Sequence, residues 1–102
     1  MQEYIYLIRA TRPGFTEEVL PDEAEAMSAH FDYLKRLYEQ GLIILMGPAL
    51  DRAVGVCVFQ AESDVEARRI MENDPSIQRG VMRGELHPFR VSLIKSVVTD
   101  RS

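Results

Sequence analysis

The chain has 102 residues, of which 46% are hydrophobic and 27% charged, and its formal net charge is -4. This length fits one domain with a single core, and the composition is that of an ordinary soluble globular protein. The negative charge and the scattered Lys and Arg residues argue against general attraction to nucleic acid or to anionic lipid. We therefore expect no nucleic acid and no membrane among its partners, and one domain over residues 1–102, with its core at about 3–95.

The cysteine and targeting patterns favour a reducing, cytoplasmic setting. The longest apolar run, LIILMGPAL, is too short to span a membrane. The opening MQEYIYLIRA lacks the basic region and the cleavage site of a secretory signal. Cys57 is the only cysteine, so no internal disulfide can form, and one thiol does not make a metal site. We predict a cytoplasmic protein.

The first predicted element is a strand from Glu3 to Ala10, rich in aromatic and β-branched residues. The segment TRPGFTEEVLPDEAEA follows, and its prolines and glycine require a loop before the first helix. Asp22 stands where it can cap that helix after Pro21. The helix is expected to run to about Gln40 and to end at Gly41.

Two apolar runs, LIILMGPAL and AVGVCVFQA, come next and are separated by Asp51 and Arg52, which predicts a hairpin. The segment ESDVEARRIMEND then predicts a second helix, capped by Ser63 or Asp64. We expect its apolar side to consist of Val65, Ile70 and Met71. Pro75 ends this helix, DPSIQRG can add one further turn, and a last strand, MRGELHPFRVSLI, leads to a polar tail, TDRS.

This order, strand-helix-strand-strand-helix-strand, predicts an α+β fold of the ferredoxin-like βαββαβ type, with two helices on one face of an antiparallel sheet. The other face of such a sheet is normally polar. Here Ile5 and Leu7 point one way and Tyr4, Tyr6 and Ile8 the other, and both sets are apolar. We therefore predict a homodimer by sheet-on-sheet packing, with a higher oligomer open. The alternatives are a misplaced strand edge or a tail that folds over this face.

The first helix carries a histidine on its apolar side. At about 100° per residue, one sector collects Met27, His30, Phe31, Leu34, Leu37 and Tyr38. One interpretation is a structural histidine, half buried and bonded to a carbonyl group. The other is the titratable group of a pocket, since imidazole exchanges a proton near neutral pH. The second interpretation requires an acid partner.

Asp74 is the candidate for that partner. Because it precedes Pro75, its backbone is kept out of the α region. An Asp at such a position is commonly a turn former that bonds its own backbone. In the ferredoxin-like topology, however, the two helices pack side by side, so this carboxylate can approach His30. Gly47 and Pro48 close the second strand, and Gly47 would let a ligand or another backbone come close.

Several other residues have two open interpretations. Arg9 either binds an anionic substrate or pairs with an acidic residue. Tyr6 and Tyr33 are pocket walls or core residues. His87 is interpreted as structural or on the surface, and Cys57 as a small buried hydrophobe. A metal site is not expected, because the two histidines form no close-spaced ligand pair.

These segments resemble the YciI-like (YCII-related) family. The resemblance runs from about Glu3 to Val91 and depends on YIYLIRA, HFDYLKRLYEQG, LIILMGPAL, ESDVEARRIMENDP and GELHPFRV, in this order. It implies a dimeric α/β barrel, in which two ferredoxin-like sheets pack face to face, and an active site around a His–Asp pair. By position, the pair corresponds to His30 and Asp74, and the Gly-Pro of the second strand to Gly47 and Pro48.

Related barrels include isomerases, dehydrochlorinases and cofactor-free monooxygenases that act on small cyclic or aromatic compounds. The long lead-in TRPGFTEEVLPDEAEAM departs from the family pattern at the expected pocket mouth and leaves the substrate open. We hypothesise an enzyme without cofactor or metal, in which His30 is the general acid or base and Asp74 orients it, for elimination or isomerisation of a small ring compound. The alternative is a dimeric ligand-binding or accessory protein without chemistry. The residues expected to bind the small molecule are Arg9, Tyr6, Tyr33, Gly47 and Pro48.

Overall fold

Four antiparallel strands form one sheet in the computed structural model, which describes residues 1–95. The strands are β1 (Gln2–Ala10), β2 (Ile43–Pro48), β3 (Gly55–Ala61) and β4 (Met82–Phe89). Their order in the sheet is β2-β3-β1-β4. The helices are α1 (Pro21–Glu39), α2 (Asp64–Glu72) and the short α3 (Pro75–Gln78). The predicted ferredoxin-like α+β fold is confirmed, and the predicted further turn is α3. The polar tail, residues 99–102, lies outside the described residues.

The first helix begins earlier than expected. Leu20 occupies the N-cap position and Pro21 the first helical position, where a missing N–H costs nothing. The carboxylate of Glu23 accepts a hydrogen bond from the Leu20 N–H at 2.8 Å. The prediction that Asp22 caps the helix is therefore wrong, because Asp22 already lies inside the first turn. The other end is as expected: Gln40 is the C-cap, and Gly41 has a φ of +83°.

The second helix is capped by Ser63, whose side chain accepts from the Glu66 N–H at 3.2 Å. Its buried residues include Ile70 and Met71, as expected. Val65, in contrast, is 79% exposed, so this part of the prediction is wrong. At about 100° per residue, Val65 lies roughly 120–140° from both of the others. It therefore faces solvent when they face the core.

The core lies between the helices and one face of the sheet. Tyr4, Tyr6 and Ile8 alternate along β1 and are buried. Phe59 on β3 lies between the two tyrosine rings, at centroid distances of 5.8 Å from Tyr4 and 5.7 Å from Tyr6. Alternation along the strands thus places both tyrosine side chains under the helices.

Gly84 of β4 is in close contact with the helices above it. A Cβ atom built at this position would lie 2.8 Å from Ile77 Cδ1 and 2.8 Å from Met71 Sδ. Any side chain there would push against both α2 and α3. The missing side chain lets the helices approach the sheet closely.

The opposite face of the sheet is also apolar at its centre. The strand register aligns Ile5 with Val58, Val58 with Leu45, and Leu7 with Val56. We call these five residues the outer patch. The alternation predicted for β1 is therefore observed, and the homodimer that it suggests stays a prediction. Within residues 1–95, no helix combines the length and the apolar character needed to cross a membrane.

Candidate active site

Asp74 occupies the N-cap position of α3 and is fully buried. Pro75 holds it in an extended conformation, with φ -63° and ψ 123°. Its Oδ1 atom accepts two hydrogen bonds from Ser76, one from the backbone N–H at 2.9 Å and one from the hydroxyl at 2.8 Å. The turn-forming role of an Asp before proline is therefore real, but it uses only one of the two carboxylate oxygens.

The second oxygen of Asp74 faces the interior of the protein. Its Oδ2 atom accepts from the Tyr6 hydroxyl at 2.7 Å and lies 2.7 Å from Nδ1 of His30. Burial by itself raises the pKa of Asp74, but the hydrogen bonds from His30, Tyr6 and Ser76 and the charge of His30 outweigh it and lower the pKa. The carboxylate therefore stays ionised near neutral pH.

The contact with Asp74 determines which nitrogen of His30 is left for chemistry. A carboxylate oxygen only accepts, so Nδ1 carries the proton of this bond. The side chain of His30 is 12% exposed, and it forms part of the wall of a cavity of about 310 Å³. With Nδ1 engaged, Nε2 is the ring nitrogen that can exchange a proton with a bound molecule.

The cavity has a closed end and an open end. Residues at the closed end are buried, among them Ile8 on β1 and Leu34 on α1. Residues at the open end are exposed and include Phe31, Pro48 and Arg52. The exposed part of the cavity wall therefore lies on α1 and around the β2–β3 loop.

The wall of the cavity is mainly hydrocarbon. The Tyr6 hydroxyl is already bonded to Asp74, and burial, together with the charge of Asp74, strongly raises the pKa of this phenol. Burial, assisted by Asp74, also raises the pKa of the Cys57 thiol to about 12, so that it stays neutral. Among residues 1–95, no group of three His, Cys, Asp or Glu side chains is placed to hold a metal ion.

Comparison with protein families decides the assignment. Residues 5–90 match the YCII-related domain, and this range covers most of the 102-residue chain. The chain belongs to the YCII-related family. A comparison with curated proteins finds no match.

Among solved structures, this YCII-related chain is similar to 5-chloro-2-hydroxyhydroquinone dehydrochlorinase (TftG) from Burkholderia phenoliruptrix AC1100, in complex with 2,5-dihydroxybenzoquinone. The TM-score is 0.65 and the sequence identity 24%, and the match covers 85% of this chain and 93% of that chain. At this identity the similarity establishes a common fold.

The YCII-related fold brings together most of the residues predicted for the site. His30 and Asp74 are in contact, and Tyr6, Gly47 and Pro48 line the cavity. A Cβ atom added at Gly47 would meet no heavy atom within 4 Å, so the space next to this strand is open. The catalytic and binding roles of these residues stay predictions.

Two predicted residues lie elsewhere. Arg9 extends from the outer face of the sheet, because odd positions of β1 point away from the helices, and it pairs with Glu85 at 3.0 Å. The Tyr33 hydroxyl donates to the Ile70 carbonyl at 2.7 Å, and burial raises the pKa of Tyr33 to about 12. We correct both expectations: Arg9 is in an ion pair, and Tyr33 ties α1 to α2 outside the cavity wall.

The lead-in between β1 and α1 contributes residues that the sequence did not single out. Phe15 is buried and lines the cavity together with Val19. Arg12 holds this segment to α1, because its guanidinium group donates to both oxygens of Glu23, at 2.7 and 2.8 Å. The hydrogen bonds from Arg12, and after them the one from the Leu20 N–H, lower the pKa of Glu23 to about 2. The unusual length of the lead-in was the available signal.

Arg52 is the other lining residue that was not foreseen. It lies in the loop that joins β2 to β3, four residues after Pro48. The pattern of apolar runs indicated a hairpin at this point, but it gave no orientation for the side chain. Its closeness in sequence to the Gly-Pro pair was the one signal that pointed to the cavity.

Proposed function

We propose that this protein is a cofactor-independent enzyme that uses His30 and Asp74 for acid–base chemistry on a small ring compound. The observation that carries the proposal is the 2.7 Å contact between His30 Nδ1 and the buried carboxylate, on the wall of a ligand-sized cavity. A histidine held in this way has a fixed tautomer and a stabilised cation.

The chemistry follows from these groups. Nε2 of His30 removes a proton from a carbon atom of the substrate, and the imidazolium formed is stabilised by the Asp74 carboxylate. In an isomerisation, the same proton returns to a different atom. In an elimination, the electron pair of the C–H bond forms a double bond while a leaving group departs with its own bonding pair. Both reactions balance without an external oxidant or reductant.

The size and polarity of the cavity support a ring compound as substrate. Its volume of about 310 Å³ suits a molecule with one ring, and Phe15 and Phe31 offer aromatic surface. TftG is by name a dehydrochlorinase of a chlorinated hydroxyhydroquinone, and it was solved with a quinone. That likeness supports elimination from a hydroxylated ring as the first reaction to test.

We also propose that the protein works as a homodimer. Val58 of the outer patch is already buried, and its other members, Ile5, Leu7, Leu45 and Val56, would be covered if two sheets packed face to face. A second copy is the simplest partner, because the same patch is then buried on both chains.

The test is turnover by matched histidine variants. Purified protein is incubated with 5-chloro-2-hydroxyhydroquinone and with related hydroxylated rings, and chloride release and C–H to C–D exchange in D₂O are followed. We expect His30→Gln to lower the rate by about a hundred- to ten-thousand-fold, the usual contribution of a positioned acid or base. Asp74→Asn should act in the same direction.

His87→Gln is the matched control, since His87 is the other histidine, lies exposed on the opposite face and bonds Glu85. It should retain the full rate. Ligand binding to the natural protein without exchange or chloride release across the panel would indicate a binding protein and contradict the proposal. Equal activity of His30→Gln and the natural protein would do the same.

A further inference from the structure

One side chain with a permanent charge lines the cavity among the described residues, and it is that of Arg52. It is exposed and lies at the open end, whereas most of the remaining wall is hydrocarbon. A guanidinium group has five N–H donors, and the hydrocarbon part of the wall has no acceptor for them.

The β2–β3 loop fixes the backbone of Arg52 firmly. Its N–H donates to the Ala49 carbonyl at 2.9 Å, and the next N–H, that of Ala53, donates to the Asp51 carboxylate at 2.9 Å. Arg52 has a φ of +67°, a left-handed conformation that residues with a Cβ atom adopt rarely. This turn fixes the backbone from which the arginine side chain extends, and both Arg52 and Pro48 line the cavity.

Arg52 differs from Arg9 and Arg12 in its partners. Arg12 is held by Glu23 and Arg9 by Glu85. Within residues 1–95, the guanidinium of Arg52 forms no ion pair of this kind. Its neighbour Asp51 already accepts a backbone hydrogen bond. The positive charge at the mouth is therefore available to a ligand.

We infer that Arg52 is the anion-recognition residue of this cavity and that its ligand is a small organic anion with an apolar ring. The ring lies in the hydrocarbon part of the cavity, the carboxylate or phenolate group faces Arg52, and the carbon acid faces His30. The identification of this ligand as a substrate rests on the proposed function. The recognition of its charge rests on the position of Arg52 alone.

The test compares two probes of the same shape that differ in charge. Benzoate and benzamide are titrated into the protein at pH 8, and binding is followed by calorimetry or NMR. We expect benzoate to bind about five- to tenfold more tightly than benzamide, as for a partly exposed charge-assisted hydrogen bond.

Variants assign this preference to one residue. Arg52→Met keeps the apolar stem and should remove the preference, whereas Arg52→Lys should keep part of it. Arg68→Gln is the control, because it removes the same charge from the exposed side of α2 and should leave the preference intact. Absence of benzoate binding at millimolar concentration, equal affinity for the two probes, or an unchanged preference in Arg52→Met would overturn the inference.

The two proposals fail in different ways. If His30→Gln leaves turnover unchanged but Arg52→Met removes the preference for benzoate, the proposed chemistry is wrong and anion recognition stands. If turnover depends on His30 but the preference does not depend on Arg52, anion recognition is wrong and the chemistry stands. An equal loss of preference in Arg68→Gln would assign it to the net charge of the protein and also overturn the inference.

Discussion

Asp74 illustrates how a fully buried carboxylate is kept ionised. Removal from water favours the protonated form, but Tyr6, His30 and two donors of Ser76 surround its oxygens. Each of these donors stabilises the charged form more than the neutral one. In the proposed reaction, this ionised carboxylate stabilises the imidazolium that forms when His30 takes up a proton.

The Tyr6 hydroxyl is the donor that can be removed with the least change in shape. We expect Tyr6→Phe to lower the free energy of unfolding at pH 7 by about 1–2 kcal/mol, because a buried hydrogen bond to a charged acceptor is lost. Since the folded-state pKa of Asp74 lies below its unfolded value of about 3.9, this contribution exists above that pH and is lost as the pH falls through the folded pKa.

Urea unfolding of Tyr6→Phe between pH 7 and pH 3 measures this difference, which should shrink at the acid end. Tyr4→Phe is the matched control: Tyr4 is equally buried and also packs on Phe59, but its hydroxyl donates to the exposed Asp64. A loss in Tyr6→Phe no greater than in Tyr4→Phe, at every pH, would contradict the expectation.

The sequence predicted the two central residues of this site, His30 and Asp74. The apolar stripe of α1 indicated that His30 faces the sheet, and Pro75 indicated an unusual backbone at Asp74. Family resemblance added the pairing of the two, and the structure adds their contact. Arg52 was out of reach, because the direction of a side chain in a short loop depends on backbone angles, here a φ of +67°, that no periodic pattern encodes.

The lead-in, residues 11–20, is the element that departs most from a minimal ferredoxin-like fold. It inserts Phe15 and Val19 into the cavity wall and is held by the Arg12–Glu23 pair. This pair stabilises the folded protein at pH values above the ordinary pKa of a glutamic acid. The stabilisation is lost as the pH falls toward about 2, the pKa of Glu23 in the folded protein.

We expect Glu23→Gln to loosen the lead-in while the sheet stays intact. The neutral amide keeps one acceptor for the Leu20 N–H but loses the paired contact with the guanidinium group. Hydrogen exchange measured by mass spectrometry at pH 7 should speed up in peptides covering residues 11–20 and stay unchanged in β1 and β3.

Asp22→Asn is the control for this experiment, because it removes a charge from the same helical turn without touching Arg12. It should leave the exchange of the lead-in slow. If both variants speed up exchange equally, the charge of the helix terminus holds the lead-in, and the Arg12–Glu23 pair does not. If Glu23→Gln leaves exchange slow, the pair does not hold the lead-in either.

Element boundaries show where sequence patterns stop being sufficient. The start of α1 was misplaced because two kinds of N-terminal signal overlap: Pro21 is suited to the first helical position and Asp22 to the cap. Glu23 settles the position by bonding the Leu20 N–H, and its own position depends on Arg12, eleven residues earlier. A contact of this range is not visible in a local pattern.

The two-sided apolar sheet is the property of the whole molecule with the largest consequence. Helices cover one face, and the outer patch lies on the other. The sequence already indicated that both faces are apolar, because the side chains of β1 alternate between the faces without a break and both sets are apolar. The second copy that we propose as the cover of the outer patch stays a prediction, since the structure describes a single chain.

We expect the protein to sediment as a dimer of 11.6 kDa chains. Leu45→Glu should shift it to the monomer, because Leu45 is the most exposed residue of the outer patch, at 47%, and a carboxylate there would have to lose water on association. Analytical ultracentrifugation over a range of concentrations gives the mass.

Val65→Glu is the control, since it introduces the same charge at an exposed apolar residue on α2, away from the sheet. This variant should sediment like the natural protein. A monomeric natural protein, or a dimer that Leu45→Glu leaves intact, would refute sheet-on-sheet association.

Gly84 limits the substitutions that β4 can accept next to the helices that hold the proposed His30–Asp74 pair. Since β4 lacks a side chain at this point, Ile77 and Met71 rest directly on the strand, and α3 carries Asp74 at its first turn. The two side chains therefore occupy the space that a Cβ atom would take at this position. A methyl group at this position would press on the ends of both side chains, so the residues that β4 can accept there depend on how far α2 and α3 can shift.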